Sequence, residues 1–63
     1  MDRIMGETIF EFTQMGNQMR VAAIDAKSGV EVIIITPTNI PQSQMQKIAL
    51  AKLHRRMGQL GKK

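Results

Sequence analysis

The stretch Gly29-Val30-Glu31-Val32-Ile33-Ile34-Ile35-Thr36-Pro37 limits what this chain can fold into more than any other part of it. It is rich in β-branched residues, which fit a pleated and half-buried surface, and Gly and Pro bound it. A strand with one wet face alternates apolar and polar side chains. Here Val32, Ile33, Ile34 and Ile35 follow one another, so both faces of the strand need cover. A C-terminal helix of the same chain can cover one face. The other calls for a second molecule.

The two preceding segments supply partner strands. Glu7 to Gln14 alternates, with Phe10 and Phe12 on one side and Ile9, Glu11 and Thr13 on the other. Gly16-Asn17 can take the positive φ values of a tight hairpin, and Gln18 to Asp25 returns as a second strand. A two-residue loop sets Val21 opposite Phe12 and Ala23 opposite Phe10. A four-residue loop within Asp25-Ala26-Lys27-Ser28-Gly29 then sets Ala23 opposite Val32 and Val21 opposite Ile34. Both hairpins place Phe10, Phe12, Val21, Ala23, Val32 and Ile34 on one face. A one-residue slip would reverse every side chain, so this agreement supports the register. The first and third strands are the expected sheet edges, with no internal Pro or Lys to guard them.

After Pro37 the period changes. Asn39 is a good N-cap, Pro41 suits a first turn and Gln42 completes a capping box, which predicts a helix from about Ile40 to Met57. Met45, Ala49, Leu50, Leu53, Met57 and Leu60 form its apolar stripe, while Lys47, Lys52, His54 and Arg55 project away. The expected fold is therefore α+β: a three-stranded antiparallel meander followed by one C-terminal helix on one sheet face. Residues 1–6 read as a flexible lead, 7–60 as a single domain and 61–63 as a basic tail.

With 63 residues, the chain is near the lower limit for a domain that folds alone. Such domains lean on disulfides, a metal or oligomerisation. There is no Cys and one His, which excludes a disulfide framework and a Cys/His zinc site, so oligomerisation is the device left. A dimer is the expected form. No cofactor is implied. No apolar run approaches the roughly 20 residues of a membrane span, and Met1 to Glu7 lacks the marks of a signal peptide. A cytoplasmic protein without a membrane partner is expected.

The sheet face away from the helix carries Ile24, Ile33 and Ile35 beside Glu11, Arg20 and Glu31. The three isoleucines are the candidate oligomer interface. The second candidate is electrostatic. Residues 40–63 hold Lys47, Lys52, Arg55, Arg56, Lys62 and Lys63 and no carboxylate, a distribution suited to an anion or a nucleic-acid backbone. Only Phe10 and Phe12 are aromatic, and both are needed in the core, so no base-stacking platform is evident. Catalysis has little support: there is no Cys or Tyr, no Gly-rich phosphate loop, and no carboxylate pair with a reason to share a cleft.

Phe10-Glu11-Phe12 with Gly16-Asn17, Val21-Ala22-Ala23-Ile24-Asp25, Gly29-Val30-Glu31-Val32 and Ala49-Leu50-Ala51-Lys52-Leu53 together carry a resemblance. Over roughly Gly6 to Leu53 the chain resembles a family of short uncharacterised alphaproteobacterial proteins, some mislabelled as serine hydroxymethyltransferase. His54-Arg55-Arg56 departs from the aromatic residue that such relatives carry after the Lys-Leu pair. The resemblance implies a bacterial cytoplasmic protein and supplies no catalytic residues. The expected role is a small non-enzymatic, homo-oligomeric protein-interaction module, which could also take a separate protein partner. The alternative is a nucleic-acid binder using the basic helix and tail.

Overall fold

In the computed structural model, which describes residues 2–61 and the side chains of residues 6–59, four strands and one helix succeed one another. They are β1 (Asp2–Met5), β2 (Thr8–Met15), β3 (Gln18–Asp25), β4 (Glu31–Pro37) and α1 (Gln42–Gly61). The strands form one antiparallel sheet in the order β1-β2-β3-β4. The expected meander is β2-β3-β4, and α1 packs on it across β3 and β4. Its register is the expected one: Phe12 faces Val21, Phe10 faces Ala23, Ala23 faces Val32 and Val21 faces Ile34.

The N-terminal residues depart from the expected flexible lead. Residues 2–5 pair with β2, with Arg3 opposite Phe10 and Met5 opposite Thr8. Four residues are too few for an alternation to show, but the turn that returns them is legible. Gly6 and Gly16 each open a two-residue turn, with φ of 58° and 61°, while no non-glycine residue among the described ones has positive φ. Glycine at the first central position alone is the pattern of a type II′ turn, whose twist suits a hairpin. Met5-Gly6-Glu7 thus repeats the design of Met15-Gly16-Asn17.

The turn between β3 and β4 is held by Asp25. Its carboxylate accepts from the Ser28 N–H at 2.8 Å, and its carbonyl accepts from Gly29 N–H at 2.7 Å. Its own N–H donates to the Val30 carbonyl at 2.8 Å, and the Ser28 hydroxyl oxygen accepts from Val30 N–H at 3.2 Å. Asp here does what its short side chain does in many turns: it stands in for a backbone acceptor.

The helix begins two residues later than expected. The residue before a proline is pushed out of the α region, which keeps Ile40 non-helical. The Pro41 carbonyl then accepts the first helical bonds, from Gln44 and Met45 N–H, both at 3.1 Å. At the other end α1 runs past Gly58 to Gly61, because Gly58 keeps a negative φ and does not form a left-handed cap.

The core lies between α1 and one face of the sheet. Phe10, Phe12, Val21, Ala23 and Val32 meet Met45, Ala49 and Leu53, with Met19, Ile34, Ile40, Leu50 and Met57 packed around them. Phe10, Val21, Ala23, Ala49 and Leu53 are wholly excluded from solvent. The sequence stripe is correct for every member whose side chain is described.

Hydrogen bonds from Ser28, first from its side chain and then from its backbone N–H, hold the Asp25 carboxyl below its ordinary value of 3.8. A depressed folded-state value means that the stabilisation is present above pH 3.8 and is lost as pH falls through the folded-state value. We therefore expect Asp25→Asn to lower the Tm at neutral pH, with the gap to the parent closing as the pH is taken below 3.8. Thermal melts across that range check this. A gap that does not change with pH would show that the carboxylate charge is not what holds the turn.

Candidate functional site

No element covers the sheet face opposite α1 among the described residues. Register places its side chains in cross-strand rows. Ile9 stands beside Ile24, which stands beside Glu31; Glu11 beside Ala22 beside Ile33; Thr13 beside Arg20 beside Ile35. The structure thus brings the three isoleucines together: Ile33 and Ile35 are same-face neighbours on β4, and Ile24 sits diagonal to Ile33. Ile24 is half-buried, whereas Ile33 retains 37% and Ile35 51% of its accessible surface. Ala22, in the middle of the face, is wholly shielded. A short side chain on an inner strand lies below the tops of longer neighbours, so its burial does not require another layer. Met15, 44% exposed at the end of β2, lies on the same face and was missed from sequence. The alternation through Glu11 and Thr13 would have found it.

The charges on this face are of both signs. Glu11 and Arg20 are half-buried and Glu31 is exposed. A strongly apolar patch would aggregate indiscriminately; this one is apolar along β4 and polar towards its surroundings.

The basic residues do not form one patch. Lys52, Arg55 and Arg56 line a groove between α1 and β4, whereas Lys47 lies against a separate recess with Phe10, Ser43, Gln46 and Leu50. Lys62 and Lys63 lie outside the described residues. Lys52 does not project away from the sheet as expected: its Nζ donates to the Ile33 carbonyl at 2.8 Å. This also corrects the expectation of unguarded edges. β2 is an inner strand covered by β1, and β4 carries one lysine on its backbone.

That bond fixes which backbone groups of β4 point outward. The Ile33 carbonyl faces away from β3, and in an antiparallel ladder alternate residues direct both their N–H and C=O to the same side. Glu31 and Ile35 share its orientation, and so does Pro37, whose missing N–H therefore costs the ladder nothing.

The β1–β2 register sets Asp2 opposite Glu11, a pairing of carboxylate residues that the sequence did not suggest. Asp25 is committed to its turn, and no group of three or more His, Cys, Asp or Glu side chains stands close enough to hold a metal among the described residues. No helix among them is long and apolar enough to cross a membrane.

One polar side chain is out of place. Gln46 is 8% exposed, and its amide nitrogen has no hydrogen-bond partner. A buried donor left unpaired costs about 1–3 kcal/mol. Gln46→Leu should therefore raise the unfolding free energy by about 1 kcal/mol in urea melts; a loss of stability would mean that the amide is satisfied in solution.

The sequence profile of the domain of unknown function DUF6898 matches residues 5–60, nearly the whole chain, and the chain belongs to that family. No curated protein and no solved structure matches it.

Proposed function

We propose that this member of the DUF6898 family is a small, non-enzymatic interaction module whose copies associate through the open sheet face. The observation that carries this reading is the pair Ile33 and Ile35, exposed side by side on a face that α1 leaves uncovered. Fully burying one isoleucine side chain contributes about 1.5–3 kcal/mol. A two-fold contact would bury Ile24, Ile33 and Ile35 from each protomer. That gain is comparable to the roughly 5 kcal/mol that holds many small domains folded. An isologous contact can also set Arg20 of one protomer against Glu11 or Glu31 of the other, which gives the mixed charges of the face a role. The protomer's core is thin, with one helix on one side of one sheet, and a second sheet layer would thicken it. On this proposal the protein works as a cytoplasmic homodimer without a cofactor.

The expected consequence is direct. Ile33→Asp, on a side chain already partly exposed, should convert a dimer to a monomer in light scattering on a sizing column, or unfold the chain if the protomer cannot stand alone. Unchanged mass together with unchanged stability would sink the interface.

Nucleic-acid binding is the second reading, and the convergence of Lys52, Arg55 and Arg56 on one side of α1 is the observation that favours it. Backbone contacts of this kind release counterions, so affinity should fall steeply with salt. Replacing Lys52, Arg55 and Arg56 with Glu should abolish retention of a DNA or RNA duplex measured by fluorescence anisotropy. Absent or salt-insensitive binding by the parent would remove the option.

A further inference from the structure

The groove between α1 and β4 lies on the opposite side of β4 from the proposed dimer face. Its volume is about 470 Å³. Val32, Ile34 and Ile48 give it an apolar floor, with Ile48 43% exposed, and Lys52, Arg55 and Arg56 form its cationic flank. No carboxylate lines it. Its long side is the free edge of β4, where the backbone groups of Glu31, Ile33 and Ile35 point outward. We propose that this groove is a docking site for an extended acidic peptide of a partner protein. The peptide would be added to β4 as a further strand, its carboxylates meeting Lys52, Arg55 and Arg56 and an apolar side chain resting on Ile48.

Three features point to this occupant. An unpaired strand edge offers main-chain hydrogen bonds in the register a new strand needs, with side-chain pockets supplying selectivity. The charged residues lining the groove, on the α1 side of β4, are all basic, while register directs Glu31 to the opposite face; this selects acidic sequences and disfavours a second copy of this chain, because self-pairing at β4 would bring two cationic flanks together. The Lys52 ammonium already occupies an edge position by donating to the Ile33 carbonyl. An incoming strand would take over that carbonyl with its own N–H, and the released ammonium would pair with a carboxylate on the same strand. Lys52 thus guards the edge against neutral strands and rewards acidic ones.

A fluorescein-labelled peptide repeating Glu-Ser-Val-Ser, in which Glu and Val share one face of a strand, is the Glu–Val peptide that tests the site when titrated into the full chain and followed by anisotropy. The controls are a Lys–Val peptide, polyglutamate and a DNA duplex. Saturable binding of the Glu–Val peptide alone is expected, with slowed amide exchange at Ile33 and Ile35. Affinity should fall about tenfold or more in a protein carrying Arg55→Glu and Arg56→Glu. Glu31→Pro, which deletes one outward N–H and leaves the β3 ladder intact, should weaken binding. Equal binding of polyglutamate would reduce the site to a cationic surface and overturn the proposal. So would preference for the duplex, no binding of the Glu–Val peptide, or unchanged amide exchange at Ile33 and Ile35 when the peptide binds. Loss of the dimer in Ile24→Asp, on β3, with peptide binding retained would separate this site from the oligomer contact.

Discussion

One packing contact makes this chain a folded domain: the Met45–Ala49–Leu53 stripe of α1 on Phe10, Val21, Ala23 and Val32. A four-stranded sheet cannot hold itself together with both faces in water, and among the described residues one helix supplies the covering layer. Large and small side chains share the contact, Phe10, Met45 and Leu53 with Ala23 and Ala49, which lets the two layers interdigitate. Everything else in the molecule is arranged around that single buried face.

Because there is one helix, cover is unequal. α1 lies over β3 and β4, so the most apolar strand of the chain is buried on one side and bare on the other. The same strand is also the edge of the sheet. β4 therefore presents two surfaces: an open face with Ile33 and Ile35, and an edge beside the cationic flank of α1. A strand with these properties is a hazard in isolation, since bare edges and bare isoleucines invite indiscriminate pairing. Lys52 on the Ile33 carbonyl, Pro37 at an outward position and Glu31 at the strand start each make uncontrolled strand addition less favourable.

Charge respects the same division. The carboxylates belong to the sheet and its turns, and every basic residue after Thr38 lies in the helix or C-terminal to it. The helix nevertheless splits its cations: Lys52, Arg55 and Arg56 face the β4 groove, and Lys47 stands on the other flank. Counted along the sequence they make one basic segment. Placed on a helix with 3.6 residues per turn, they make a cluster of three and an outlier.

The amino-acid pattern alone was enough to read the meander, its register and the helix stripe. Alternation over eight residues, glycines at two-residue turns and an Asp at the longer one all agree, and a register slip would have exposed Phe10, Phe12 and Val21 together. It also identified Ile24, Ile33 and Ile35 as one surface, because period two places them on the face the stripe cannot reach. Tertiary structure decided what local pattern could not. Asp2–Met5 became a strand because β2 offered it a free edge, a pairing that no four-residue pattern can announce. The helix start at Gln42, by contrast, follows from local chemistry, since Ile40 precedes Pro41. Lys52, one cation among several in the sequence, became the residue that meets the edge of β4, because only the docking of α1 sets how far its ammonium must reach.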